Sequence, residues 1–328
     1  MGPVLTLYDA DFRAYADVDD FDLDMAFGVD ENDFTLTVRG AAQPVPHGYI
    51  GIVGTEYGGV VDAVRSKREG RARSAVYSGR TWHGVMDSKV LCPDTGQSHV
   101  AIGGAARDVL AALIARAGLE GVFFARDGGR ELFVPSSNVD RFATCWEAVR
   151  KALAGIGCRC ALTLEGSAVE VSAVPVTAVM DDVGGSIGFD ALREYRPVNH
   201  LIGLGGGELQ DRAVTHWYAD AAGTVSRTQT LFGMDERAEV YEYSSAGAEE
   251  LDERTRDKLA EMQGASSASV EVGEARVGIG DTVAARDDEL GIEVSATVSK
   301  VIVKASAGRL TVEYETGDAA GLPGKELR

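Results

Sequence analysis

Apolar and polar residues alternate with a period of two in short runs over most of this chain, and that is the period of a strand with one face buried. Val4-Leu5-Thr6-Leu7-Tyr8, Phe34-Thr35-Leu36-Thr37-Val38, Tyr49 to Val53, Gly59 to Val64 and Ser74 to Arg80 all follow it, with Phe12 to Val18 between the first two. Acidic or glycine-bearing turns separate the runs, so residues 1–95 are predicted to form a twisted antiparallel sheet or barrel.

The period changes after the loop Cys92-Pro93-Asp94-Thr95-Gly96. Ala106, Val109, Leu110, Leu113, Ile114 and Ala117 lie on one helical stripe that Gly118 ends. Val122-Phe123-Phe124, the turn Asp127-Gly128-Gly129 and Glu131 to Val134 read as a hairpin, and Pro135-Ser136-Ser137 leads into a second helix over 142–154. Strands at 160–164 and 169–174 complete a compact α/β unit over 96–174, flanked on both sides by strand patterns and therefore read as an insert.

From 175 to 328 the strand period returns, at 177–181, 187–195, 199–205 and 213–219, the last two as a hairpin. Ser244-Ser245 is placed to cap one charged helix over about 247–262, with Leu251, Leu259 and Met262 as a narrow apolar stripe. A strand meander follows at 269–272, 283–285, 292–303 and 310–314. The fold class is α+β and β-dominated, and a length of 328 residues agrees with at least two domains.

Charge narrows the function classes. Lys and Arg number 32 against 51 Asp and Glu, a net charge of −19, and Asp9, Asp11, Asp17, Asp19, Asp20, Asp22, Asp24, Asp30, Glu31 and Asp33 face only Arg13 in their stretch. Such a surface repels phosphate, which disfavours a nucleic-acid binder or a membrane-surface binder. Residues 1–15 lack a basic start followed by an apolar run, and no stretch approaches the roughly 20 apolar residues of a bilayer span, so cytoplasmic synthesis without membrane anchoring is expected.

No catalytic, cofactor or metal motif stands out. Gly203-Leu204-Gly205-Gly206-Gly207-Glu208 departs from a dinucleotide fingerprint at Glu208 and opens no apolar helix, so it reads as a glycine-rich hairpin approached closely by other backbone. Cys92, Cys145, Cys158 and Cys160 lack zinc-site spacing, and Cys158 and Cys160 share one strand face. His47, His83, His99, His200 and His216 are scattered, and a Cys92 nucleophile paired with His83 or His99 has only proximity in sequence behind it. One basic run breaks the acidity: Arg65, Lys67, Arg68, Arg71 and Arg73. It reads either as a solvated hairpin tip or as an intersubunit clamp for the acidic amino-terminal segment of a neighbouring copy.

Two stretches together carry a resemblance. One is Ser78-Gly79-Arg80-Thr81-Trp82-His83-Gly84-Val85-Met86, continuing to Leu91-Cys92-Pro93 and the helix from Gly104 to Gly118. The other is Arg196-Pro197-Val198-Asn199-His200-Leu201-Ile202-Gly203-Leu204-Gly205, followed by Val277-Gly278-Ile279-Gly280-Asp281-Thr282-Val283 and a closing strand pair around Gly308. In this order the chain resembles the hub proteins of long-tailed phage tails, a group that includes baseplate-hub, tail-associated and Gp37-like siphovirus tail proteins.

The resemblance implies two similar tube-type β-barrel or sheet domains, 1–95 and 175–328, with the α/β insert 96–174 on the outside. It implies a homo-oligomer, a trimer, at the virion tail tip, made in the bacterial host cytoplasm. Its partners would be the tail tube and the distal tail and tip proteins, with DNA only in transit through the lumen and no cofactor; the net charge of −19 suggests in addition that this lumen is acidic. The alternatives left open are a tail-associated cell-wall peptidase or glycan hydrolase, and a receptor-binding tail-tip module.

Overall fold

The computed structural model describes residues 2–69, 72–129, 131–180, 187–192, 196–244, 247–264, 267–272, 277–287, 292–316 and 320–322. Arg71 and Ser245 of the readings above lie outside them. The chain divides into two compact units: Met1–Gly188 with Glu271–Val283 and Thr297–Gly317, and Phe189–Val270 with Ala284–Ala296 and Asp318–Arg328. This division does not follow cuts at 95 and 174, because the first sheet and the α/β segment lie in the same unit.

The first seven strands are β1 (Leu5–Tyr8), β2 (Ala14–Val18), β3 (Phe21–Gly28), β4 (Asp33–Val38), β5 (Tyr49–Gly51), β6 (Gly58–Glu69) and β7 (Ala72–Thr81), and α1 (Trp82–Asp87) follows. The α/β segment holds β8 (Val100–Ala105), α2 (Ala106–Arg116), β9 (Phe123–Arg126), β10 (Phe133–Val139), α3 (Cys145–Ala154), β11 (Cys158–Glu165) and β12 (Ala168–Pro175). Next come β13 (Ala178–Met180), β14 (Ile187–Leu192), β15 (His200–Leu204), β16 (Val214–Ala219), β17 (Val225–Ser226), β18 (Ala238–Glu242) and α4 (Ala248–Gly264). The last strands are β19 (Ser267–Val272), β20 (Thr282–Asp287), β21 (Ile292–Ser306), β22 (Arg309–Thr316) and β23 (Ala320–Leu322).

In the first unit the strands run in the order β21-β3-β4-β7-β6-β5-β1-β2, each antiparallel to the next. β22 pairs antiparallel with β21 on its other flank. The C-terminal strands close onto the start of the chain through Lys300–Ala305 of β21 against Leu23–Gly28 of β3. Alternation accounts for the core: Phe21, Leu23, Met25, Phe27, Phe34, Leu36, Val301 and Val303 are buried. Among the described residues the sheets are open, none closing into a barrel.

The α/β segment is locked to this sheet. Trp146 of α3 is buried and donates its indole N–H to the carbonyl oxygen of Gly28 at 2.7 Å. Leu164 of β11 fills the space beside Gly51, where a Cβ would lie 2.2 Å from Leu164 Cδ2. The backbone exchanges Leu164 N to Thr55 O and Gly54 N to Leu164 O, both 2.8 Å.

Two expectations change here. The hairpin over 122–134 is not formed: β9 lies parallel to β12, and β10 pairs antiparallel with β8, a strand not foreseen in the sequence. The reason is that α2 and α3 cover sheets assembled from distant strands, and that burial outweighs the local turn signal. The second helix starts at Cys145 rather than 142, because Thr144 forms a capping box: its Oγ1 accepts Glu147 N–H at 3.1 Å while Glu147 Oε2 accepts Thr144 N–H at 2.8 Å.

In the second unit the sheet order is β17-β16-β15-β18, with β18 parallel to β15 and the other pairs antiparallel. The helix α4 covers one face, where Val198, Leu201, Ala219 and Leu259 form a buried cluster with Trp217, Tyr241 and Met262 against it. Gly203 permits this approach, since a Cβ there would lie 2.1 Å from Thr255 Oγ1. At the turn itself the neighbour is backbone, since a Cβ on Gly207 would lie 2.4 Å from the Asp211 carbonyl oxygen.

Candidate assembly surface

The β6–β7 hairpin is built around Gly79 and Arg80. β6 carries one extra residue between Val61 and Ala63, and a Cβ on Gly79 would lie 1.8 Å from the Val60 carbonyl oxygen, so only glycine fits opposite the bulge. The extra residue, Asp62, takes a two-point contact from Arg80: Nε to Oδ2 and Nη2 to Oδ1, both 2.8 Å. Hydrogen bonding from Arg80 holds the Asp62 carboxyl below the ordinary carboxylate range. Arg80 Nη1 also reaches Ser88 Oγ at 2.7 Å, at the end of α1, and Thr81 caps that helix by accepting Gly84 N–H at 3.2 Å. The Gly-Arg-Thr-Trp-His segment is therefore a junction. It ends a strand, starts a short helix, and sets Trp82 and His83 into the core, where His83 stacks on Phe27 at 4.4 Å and meets Trp146 edge-on at 4.8 Å.

Past this junction the hairpin leaves the sheet. β7 pairs with β4 only through Tyr77–Arg80, and β6 pairs with β5 only through Gly58–Val60. The pairs from Arg65↔Val76 to Glu69↔Ala72 continue as a two-stranded ribbon, a reach of roughly 17 Å at the usual strand rise. Among the described residues both outer edges of this ribbon are unpaired, and unpaired edges are templates for another chain.

Arg65, Lys67, Arg68 and Arg73 of the basic run lie on this ribbon. Arg65 and Arg68 are exposed and, three residues apart on a strand, point to opposite faces. Arg65 opposes Val76, Lys67 opposes Ser74, and Arg68 opposes Arg73 in register. Val64 and Val76 add exposed apolar surface beside them.

A second constellation was invisible in sequence. On the face of the β15–β16 sheet opposite α4, His200 Nδ1 lies 2.7 Å from Glu236 Oε1 and His200 Nε2 lies 2.9 Å from His216 Nδ1. The carboxylate needs a donor, so His200 carries its proton on Nδ1 when neutral and accepts from His216 through Nε2. Burial, then His200 and Arg227, push the His216 pKa below its ordinary value. On the helix side, Asp252 accepts from Thr215 Oγ1 at 2.5 Å and from Trp217 Nε1 at 3.2 Å, and pairs with Arg227, whose guanidinium lies 4.1 Å above the Trp217 ring. These contacts, Thr215 first, hold the Asp252 carboxyl low.

Cys145, Cys158 and Cys160 are buried thiols, and burial pushes Cys145 up to about 12. Cys92 is exposed whereas His83 is buried against Phe27 and Trp146. Among the described residues no group of three His, Cys, Asp or Glu side chains is placed to hold a metal ion, and no helix is long and apolar enough to cross a membrane.

No protein-family model matches the chain, and no curated protein matches it in sequence. The solved structures to which it is similar include phage tail and baseplate proteins. One is the tail protein from Neisseria meningitidis MC58, at 14% identity and TM-score 0.47, covering 96% of each chain. Another is the 43 kDa tail protein of prophage MuSo2 from Shewanella oneidensis, at 9% identity and TM-score 0.48, covering 97% of this chain and 98% of that one. A third is the baseplate of phage P2 in its activated conformation, at 9% identity and TM-score 0.47, covering 95% of this chain and 98% of that one.

Proposed function

We propose that this chain is a structural protein of a phage or prophage tail, a hub at the tail tip that assembles with copies of itself, joins the tail tube to the tip and surrounds the path of the DNA. The observation that carries this reading is the β6–β7 ribbon. It extends about 17 Å beyond its sheet, and among the described residues its two edges are unpaired. An isolated two-stranded ribbon is marginal by itself, so a ribbon of this length is best accounted for by neighbours that complete it. The junction at Gly79-Arg80-Thr81 supports the same reading, because it is an ordered joint at the root of the ribbon and belongs to one of the two stretches that carry the hub resemblance.

In this reading the sheets of the two units are the tube-type modules, three copies lie side by side, and their open edges close against neighbours into a ring. Arg65, Lys67, Arg68, Arg71 and Arg73 clamp the acidic start of the next copy. The net charge of −19 serves transit. DNA carries about one charge per 1.7 Å of axis, and acids facing a lumen repel it within roughly 8 Å at physiological salt, so it slides without adhering. Replacing the five basic residues with Ser is expected to lower the mass measured by light scattering at low salt. An unchanged mass contradicts the clamp.

A further inference from the structure

The imidazoles of His200 and His216 face each other across two strands. In register His200 of β15 opposes Tyr218 and His216 of β16 opposes Ile202, so the histidines are diagonal neighbours on the sheet face away from α4. His200 Nε2 and His216 Nδ1 lie 2.9 Å apart. At a tetrahedral zinc ion, Zn–N bonds of about 2.0–2.1 Å separate two nitrogens by roughly 3.3 Å. An opening of about 0.4 Å therefore turns this pair into two ligands of one ion, and the exposed His216 ring is free to supply it.

What lies behind His200 is the support that metal-ligating histidines carry. Glu236 Oε1 accepts from Nδ1 at 2.7 Å, which fixes the tautomer and leaves the Nε2 lone pair aimed at His216. Glu236 is itself held in place. Asn199, only 6% exposed, donates Nδ2–H to Asp235 O at 2.7 Å and accepts Arg237 N–H at Oδ1 at 3.0 Å, gripping the residues on either side of Glu236. The Tyr218 ring packs 4.4 Å from His200 and lies nearly parallel to His216 at 6.4 Å, so both imidazoles have an aromatic backing. Charge also permits a cation here. Arg227, which reaches the His216 carbonyl oxygen, is paired with Asp252 on the helix side, and the Glu236 carboxylate stands directly behind the first histidine.

We propose that His200 Nε2 and His216 Nδ1 bind one zinc ion, with Glu236 as the carboxylate behind the first ligand and water in the remaining positions. The ion replaces the proton on His216 Nδ1 while Nε2 of the same ring takes one from solvent, so the ring stays neutral and no net proton is released. Paired imidazoles suit zinc and its transition-metal neighbours, whereas Mg²⁺ and Ca²⁺ require oxygen ligands. Two protein ligands, fewer than the three or four of permanent zinc sites, make this an exchangeable site. The inference goes beyond the tail reading and does not depend on self-association.

The test uses the full chain in a Cys92→Ser background, which removes the exposed thiol. Calorimetric titration with zinc chloride is expected to find one ion per chain, undisturbed by excess magnesium, and zinc is expected to raise the thermal unfolding midpoint. His200→Asn and His216→Asn are each expected to abolish that binding, and Glu236→Gln to weaken it roughly 10–100-fold. The His216 ring is exposed, so His216→Asn is expected to keep the parent circular dichroism spectrum even if His200→Asn does not. Nitrogen NMR is expected to show His200 Nε2 and His216 Nδ1 shifting together as zinc is added, which a merely structural ring pair would not do. A parent chain that takes up no zinc overturns the proposal. So does uptake that survives His216→Asn, which would assign it to other histidines such as the exposed His47 or His99. Either result leaves the self-assembly reading untouched.

Discussion

The indole N–H of Trp146 meets the carbonyl oxygen of Gly28 at 2.7 Å across 118 residues of sequence, at a buried site. Gly28 ends β3 against β21, where a Cβ would lie 2.2 Å from Ser299 O, so one carbonyl sits at the joint of the amino-terminal strand, the C-terminal strand and α3. The α/β segment and the sheet are thereby expected to unfold together. Trp146→Phe keeps most of the buried ring but leaves Gly28 O without its donor, an expected loss of about 1–3 kcal/mol. Trp146→Ala adds a cavity and is expected to cost about 3–5 kcal/mol. Denaturant titration followed by far-UV circular dichroism measures both, and a Trp146→Phe protein as stable as the parent contradicts this role.

Gly79 tests the bulge. Ala at this position places its methyl carbon 1.8 Å from a backbone oxygen, which no side-chain movement relieves. Gly79→Ala is therefore expected to destabilise by more than the few tenths of a kcal/mol typical of a surface substitution, and to loosen the Arg80–Asp62 pair with it. Hydrogen exchange at the amides of β6 and β7 reads the change directly, and unaltered protection there counts against the bulge geometry.

His216 gives the second unit a pH dependence. Its folded-state pKa lies below the ordinary 6.5, first because burial disfavours the cation and then because His200 and Arg227 lie close. Between the folded and unfolded values the unfolded chain binds more protons. This contribution to stability is thus fully present above about 6.5 and declines as pH falls toward the folded-state value. Unfolding midpoints measured from about pH 7.5 down to about pH 5 are expected to fall, and His216→Asn is expected to flatten that slope. An equal slope in both proteins rules His216 out as its source.

Leu209 sits in the left-handed region at φ 50° and is 94% exposed, so its side chain contributes little burial while its backbone carries strain. Leu209→Gly is expected to be neutral or to stabilise by up to about 1 kcal/mol. A clear loss in thermal midpoint would mean that Leu209 is covered in the assembled protein under the conditions measured.

What the sequence shows and hides follows from which forces are local. Alternation in Phe34–Val38 marks a strand directly, Leu5–Tyr8 is legible as a strand although all four of its residues are buried, and the apolar stripe from Ala106 to Ile114 marks α2. The central strand β3 is hidden by its own solvent face: Asp22 and Asp24 suggest an acidic turn, while Phe21, Leu23, Met25 and Phe27 are buried. Asp22 tolerates this place because it accepts Ser306 Oγ–H at 2.6 Å and pairs with Arg39, partners that lie far off in sequence or just past the end of the next strand. The short helix α1 carries no period long enough to read. The basic run is plain in sequence as charge, but its position on a ribbon with unpaired edges depends on where β4 and β5 stop pairing. The Glu236–His200–His216 chain spans three segments joined only by sheet register, so spacing along the chain gives no hint of it.

The central claim is that copies of this chain join through their open surfaces into a ring around a passage. Native mass across a concentration series, paired with negative-stain images of the same samples, tests it most directly. The account predicts a defined multiple of the single-chain mass and particles with rotational symmetry and a central opening. Single-chain mass at the highest concentration reached, with compact particles lacking any opening, would contradict it.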